Sequence, residues 1–216
     1  MTRMSTPNGS AVADLELSLL QLLRLKGRLK ATDVPASLDH GAGKCSQVLE
    51  SSTQAGHCVQ NGPSVKLTPD GRQRLAELLE VERAGVDQAQ LEALYHRFDE
   101  HNSAFKAIIT SWQMRDENTP NDHTDADYDQ GVLDRIAQLH ASFAPLLDEI
   151  VATVPRLAHY PARFAEALAR IQAGEHHFVA RPIIDSYHTV WFELHEELIG
   201  LLGRNRADEA AAGRAV

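Results

Sequence analysis

A chain of 216 residues, 43% of them hydrophobic, carries enough apolar material for one large or two small domains. No stretch approaches the roughly 20 apolar residues that span a bilayer, and MTRMSTPNGS holds no apolar signal core, so the expectation is a soluble, cytoplasmic protein with no membrane partner. Two cysteines, Cys45 and Cys58, are too few for a secreted disulfide framework and read as reduced thiols. The net charge of -9 is unevenly spread: nine basic side chains face six acidic ones up to Arg74, whereas 12 face 24 beyond it, a split of +3 and -12. A basic small domain suits a polyanion, and an acidic remainder repels one.

In chain order, residues 1–13 read as a disordered tail. ADLELSLLQLLRLKGRL then sets Leu15, Leu19, Leu22 and Leu23 at helical spacing and stops at Gly27. TDVPASL predicts a short second helix capped by Thr32 or Asp33. The run HGAGKCS follows. A phosphate-cradling loop would need glycine where Leu38 stands and a hydroxyl where Cys45 stands, so the run reads instead as the turn into a third helix, from Lys44 to about Gln54. HCVQ and SVKL, flanking Asn61-Gly62-Pro63, predict a hairpin, and Thr68-Pro69 opens a further helix.

Helix, helix, helix, hairpin, helix is the order of a winged helix-turn-helix. The segment LTPDGRQRLAELL resembles the strand-to-helix exit of MarR-like winged-helix regulators, over about residues 14–80. The resemblance implies a dimer that reads two DNA half-sites about one helical turn apart. On that reading the third helix enters the major groove of double-stranded DNA with Lys44, Ser46, Gln47, Ser51, Ser52 and Gln54, and phosphates are met by Arg28, Lys30, Lys44, Lys66 and Arg72. The set of cations is modest and Glu50 sits among them; a protein-docking role for this domain is the competing reading.

Beyond residue 80 long amphipathic stretches dominate. The first carries Leu91, Leu94, Tyr95, Phe98, Asn102, Phe105, Ile109 and Trp112 on one face and ends near Arg115. After the polar loop DENTPNDHTDADYD comes a stretch with Leu133, Ile136, His140, Phe143, Leu147 and Ile150, where Pro145 predicts a kink. YPARFAEALARIQAG and PIIDSYHTVWFELHEELIGLLG complete four helices, the last expected from Pro182 to Gly203. The predicted fold class is mainly α, a winged helix at 14–80 followed by an antiparallel helical bundle at 81–205 and a frayed tail at 206–216.

Nine of the 11 histidines fall in the bundle region. Asp185, His188, Phe192, His195 and Ile199 share a helix face, which sets titratable groups on a packing stripe. The candidate ligand-binding residues are Asn102, Trp112, Arg115, His123, His140, Asp185, His188 and His195, with Asp185 orienting one imidazole and His123 as a lid. Three readings stay open for them: a satisfied core network, an effector site, or a metal or catalytic site. The HExxH, di-iron and EF-hand patterns all fail, so no metal ligands are named and no cofactor is expected, although a metal is not excluded. No catalytic residue can be named, and a non-enzyme is the favoured reading.

NDHTDADYD and DSYHTVWFELHEELIGLLGR resemble the helical C-terminal part of actinobacterial MarR-like regulators, and similar segments accompany phosphoenolpyruvate-utilising, pyruvate phosphate dikinase-like enzymes. The first likeness implies a DNA-binding transcriptional regulator whose helical domain dimerises and senses a small molecule. The second implies the alternative: a histidine-rich ligand- or metal-binding enzyme or accessory domain linked to phosphoenolpyruvate-type metabolism, with the winged helix as a docking module.

Overall fold

A computed structural model of the chain describes residues 7–38 and 40–204. Eight α-helices and one three-stranded sheet are present among them, divided into two compact units that meet in sequence at Gly85 and Val86. The boundary lies five residues past the expected one, because helix α4 (Pro69–Gly85) runs on to its glycine. The expected frayed tail at 206–216 and the first six residues lie outside the described residues.

The N-terminal unit is built round α1 (Pro7–Lys26), which packs against α2 (Val34–Leu38), α3 (Ala42–Gln54), α4 and the sheet. Helix α1 starts at Pro7, within the expected tail; proline at the first helical position gives up no intrahelical bond. Leu15, Leu19, Leu22 and Leu23 are buried as their spacing predicts, and so are Leu17 and Leu20, since α1 has neighbours on several sides. Gly27 (φ +70°) ends it in the left-handed region.

Strands β2 (Cys58–Asn61) and β3 (Ser64–Leu67) form the expected hairpin, turning at Gly62 (φ +58°) and Pro63. The third strand, β1 (Leu29–Lys30), was not legible: two residues carry no periodicity, and their strand character comes from pairing with β3 at Leu29–Val65 and Lys30–Ser64. The sheet order is β1-β3-β2, all antiparallel.

The segment LTPDGR now has a physical account. Thr68 precedes α4, and its Oγ1 accepts from the Gly71 N–H at 3.0 Å while lying 2.7 Å from the Gly56 carbonyl oxygen, to which it donates. The Thr68 N–H donates to the His57 carbonyl at 3.1 Å. A Cβ on residue 71 would stand 2.0 Å from that same carbonyl oxygen. Threonine and glycine three apart thus clip the first turn of α4 to the turn between α3 and β2.

The C-terminal unit contains α5 (Gln88–Gln113), α6 (Ala126–Thr153), α7 (Tyr160–Gln172) and α8 (Tyr187–Leu201), with 3-10 turns at Pro155–His159 and His176–Phe178. Asp87 caps α5, Asp125 caps α6 and Ser186 caps α8, each side chain accepting a backbone N–H. Helix α6 continues through Pro145, where one intrahelical donor is missing. Helix α8 begins at Tyr187, five residues later than expected from Pro182, because Ile183 adopts φ +77° and Ser186 supplies the cap.

Trp191 is the centre of this core. It is fully buried, and the rings of Phe105, Phe143, Phe98, Tyr187 and Phe164 lie 4.5–6.4 Å from it. Helix α8 is buried on nearly every face, including Glu193, His195 and Glu197, so it is the element round which the unit is assembled.

Candidate functional site

Two sets of residues were singled out by the sequence, one in each unit. In the N-terminal unit, α3 turns Cys45, Val48, Leu49 and Ser52 inward and leaves Lys44, Ser46, Gln47, Glu50, Ser51 and Gln54 exposed. Ser52 is therefore removed from the candidate face. Gly41 supplies the first turn of α3: its carbonyl accepts from the N–H of Lys44 (3.0 Å) and of Cys45 (3.2 Å), so HGAGKCS is a helix entry. Gln54 donates to Glu50 at 3.3 Å and Ser51 to the Val48 carbonyl at 3.0 Å, whereas the side chains of Lys44, Ser46 and Gln47 are exposed on the outer turns.

The other candidate cations lie in and next to the sheet and on α4. Lys30 stands opposite Ser64, and Lys66 lies two residues along from Ser64, so both lysines leave the same outward face while Leu29 and Val65 take the other. Arg28, Lys30, Lys44, Lys66 and Arg72 are all exposed and pair with no carboxylate among the described residues. Arg74 differs: its Nε and Nη2 lie 3.2 and 2.9 Å from the two oxygens of Glu16. Burial raises the thiols of Cys45 and Cys58, the latter to about 11 with help from Glu16, so both stay protonated and unreactive.

The eight candidates in the C-terminal unit separate into distinct settings. Asn102 and His195 belong to the core: Asn102 Oδ1 accepts from Trp191 Nε1 at 3.0 Å, and His195 Nε2 meets the Tyr95 hydroxyl at 3.0 Å. Both are almost fully buried, as a satisfied polar network requires. His140 and His188 are half-buried near the start of α8; His140 Nδ1 meets the Tyr187 hydroxyl at 3.2 Å, His188 lies against Phe105, and burial lowers both imidazole pKa values.

Trp112 and His123 form a third setting. The His123 ring lies 4.4 Å from that of Trp112, and His176 approaches the indole edge-on at 5.9 Å. Buried Asp129 accepts from Asn121 Nδ2 at 2.7 Å and from His123 Nδ1 at 2.9 Å. The amide hydrogens of Asn121 are taken by Asp129 and the Trp112 carbonyl, so His123 carries its proton on Nδ1 and presents Nε2 outward. His123 sits at φ +58°, a strained setting for a residue other than glycine. Arg115 lies over the Tyr128 ring and bonds Asp125 at 2.8 Å.

Asp185 is the fourth setting, and its partner is a guanidinium. Arg163 donates from Nε to Asp185 at 3.0 Å and from Nη2 to Glu193 at 2.6 Å. One helical turn further along α8, Glu197 takes Arg156 in a two-pronged bond at 3.0 and 2.7 Å. Side chains of Arg163, Glu193, Arg156 and Glu197 are 2–6% exposed, whereas that of Asp185 is 36% exposed. Burial alone would lower the pKa of Arg163; Glu193 and Asp185 more than offset this and raise it. His159, whose ring lies tilted against that of Tyr160 at 4.4 Å, is pushed down to about 4 by burial and then by Arg163.

No family model, curated protein or solved structure matches this chain.

The double ion pair was not foreseen from the sequence, in which Arg156, Arg163, Glu193 and Glu197 were not among the candidate residues. A signal existed. Glu193 and Glu197 are four apart and so lie on one stripe of α8, a segment rich in apolar residues. Among the described residues no group of three or more His, Cys, Asp or Glu side chains is placed to hold a metal ion, and no helix is long and apolar enough to cross a membrane.

Proposed function

We propose that the chain is a DNA-binding transcriptional regulator of MarR-like type, its N-terminal unit acting as a winged helix and its C-terminal unit as the dimerising helical domain. The observation that carries this reading is the outer face of α3, where Lys44, Ser46, Gln47, Ser51 and Gln54 are exposed, in a unit that also exposes Arg28, Lys30, Lys66 and Arg72 with no carboxylate partner among the described residues. The helix offers side chains of the type that meets base edges, and Arg28, Lys30, Lys66 and Arg72 are exposed groups of the same unit that can neutralise phosphate. A second copy doubles that modest set, and the acidic C-terminal half stays away from the polyanion.

Fluorescence anisotropy with the DNA upstream of the protein's own gene, against a scrambled duplex at two salt concentrations, tests the proposal. Specific binding should exceed scrambled by at least about a hundredfold. Lys66→Ala and Arg72→Ala should each lower affinity for both duplexes and reduce the slope of log K against log salt by about 0.9 per lost phosphate contact, with the melting temperature unchanged within about 0.5 kcal/mol of stability. Equal affinity for the two duplexes defeats the reading.

A further inference from the structure

The line of α3 that points most directly away from the core carries no cation. Gly43, Gln47, Glu50 and Gln54 advance by four, three and four residues, so they form one stripe, and all four are exposed. The stripe lies opposite Cys45, Val48, Leu49 and Ser52, which are buried. Lys44 and Ser51 stand to one side of it and Ser46 to the other. A helix built only to hold phosphate would carry arginine or lysine on that line; α3 carries two amides, a carboxylate and a glycine.

Two members of the stripe have no role inside the chain. Glu50 pairs with no cation among the described residues; its Oε1 accepts from Gln54 Nε2 at 3.3 Å, which ties the carboxylate to the line of the stripe. Gly43 is the other. Glycine within a helix is disfavoured against alanine, yet a Cβ added at residue 43 would meet nothing within 4 Å, so no packing in the N-terminal unit requires its absence. Gly71 is the opposite case, since the His57 carbonyl stands where its Cβ would be.

Resting on the DNA-binding reading of this face, we propose that Glu50 is its specificity-determining residue, accepting a hydrogen bond from the N4 amino group of a cytosine in the major groove. Guanine and thymine turn acceptors toward that groove, and a carboxylate is repelled by them. Adenine offers its N6 amino group beside the N7 acceptor, so it suits an amide, which donates and accepts, better than a carboxylate. Cytosine offers a donor with no acceptor next to it. Elsewhere along a duplex the carboxylate meets only acceptors and the field of two phosphate rows, so Glu50 weakens binding to most sequences and weakens it least at the one it reads. Gly43, at the start of the same stripe, leaves room for the wall of the groove to come close to the helix backbone.

The test uses the full chain and a pool of duplexes with a randomised core of about 20 base pairs, enough for two half-sites. Parent and Glu50→Gln are each carried through selection on the pool, and the enriched duplexes are sequenced. The parent should enrich a cytosine at one position of each half-site, and Glu50→Gln should exchange it for adenine while the rest of the motif stays. In anisotropy titrations of the parent's enriched duplex, replacing that C·G pair by T·A sets an acceptor where the donor stood. The exchange should weaken the parent at least about tenfold and Glu50→Ala less than about threefold. Glu50→Ala should also bind a scrambled duplex more tightly than the parent does. Gly43→Ala should raise the melting temperature and weaken binding to the enriched duplex about threefold or more. A parent motif that passes unchanged to Glu50→Gln, cytosine included, overturns Glu50 as the reading residue and leaves DNA binding in place. Tightening of Glu50→Ala by the same factor on enriched and scrambled duplexes overturns it as well, because the carboxylate then only repels. No enrichment by the parent removes the DNA-binding reading itself, and the role of Glu50 with it. Unchanged affinity of Gly43→Ala for the enriched duplex overturns the close approach at residue 43.

Discussion

The two units treat charge in opposite ways. In the N-terminal unit the core is a set of leucines and valines with two protonated thiols, Glu16 pairs with the partly exposed Arg74, and five cations stand at the surface with no carboxylate partner among the described residues. In the C-terminal unit two arginines and two glutamates are taken inside and matched by geometry. An unpaired surface cation is available to a partner and adds little to stability. A buried pair adds little net stability over an apolar pair of the same shape, yet breaking it is costly, so it fixes which helices meet and in what register. The first unit leaves its cations at the surface; the second is arranged round a defined interior.

The largest expected effect comes from splitting a buried pair. Glu197→Ala leaves the Arg156 guanidinium desolvated without its carboxylate and should destabilise the protein by about 3–5 kcal/mol in urea unfolding followed by tryptophan fluorescence, which reports on Trp112 and Trp191, both in the C-terminal unit. Replacing both partners, Arg156→Met with Glu197→Leu, should recover most of that loss. If the double variant is as unstable as the single one, the pair is a source of stability and the contrast between the units fails.

Much of this architecture could be read beforehand, and the parts that could not share a cause. Leucine spacing in α1, the apolar stripes of α5 and α6 and the Gly62-Pro63 turn are local signals, and the structure follows them. Strand β1 exists only through its partner in β3, and the start of α8 depends on the backbone of Ile183. The same holds for the candidate residues. Sequence spacing placed Asn102 and His195 correctly on inward faces, but which groups meet is a matter of how helices pack. Asp185 therefore went to an arginine on α7, and the eight candidates became four separate settings. The buried glutamates Glu193 and Glu197 were not foreseen, because a glutamate on a helix surrounded by other helices looks, residue by residue, like one facing water.

Next in size is a test of the N-terminal clip. Gly71→Ala drives a methyl group into the His57 carbonyl, so α4 must shift away from the turn between α3 and β2. The expected loss is about 3 kcal/mol, large for a single methyl because backbone stands on both sides of the clash. Hydrogen exchange should show faster opening in β2, β3 and α4, with protection in α5–α8 unchanged. Uniform loss of protection through both units would mean that they unfold as one, and that their different charge arrangements do not mark independent bodies.

The most gradual effect is acid sensitivity seated in the C-terminal unit, which builds up over several pH units. His159 is held neutral, with its pKa near 4 because burial, and then Arg163, disfavour the charged ring. In the unfolded chain the same imidazole titrates near 6.5. Between those values the unfolded state binds more protons than the folded one, so stability is full above pH 6.5 and falls as the pH drops, by about 1.4 kcal/mol per unit at most. The limb flattens below pH 4, where both states are protonated and carboxylates take over. His159→Gln keeps an amide donor for the Arg156 carbonyl and has no proton to gain, so its urea midpoint should change much less between pH 6.5 and 4.5 than that of the parent. An identical slope in the two proteins would remove His159 as the source and place the sensitivity in the arginine–glutamate pairs themselves, which would make the buried interior of this unit responsive to acid through its registry contacts.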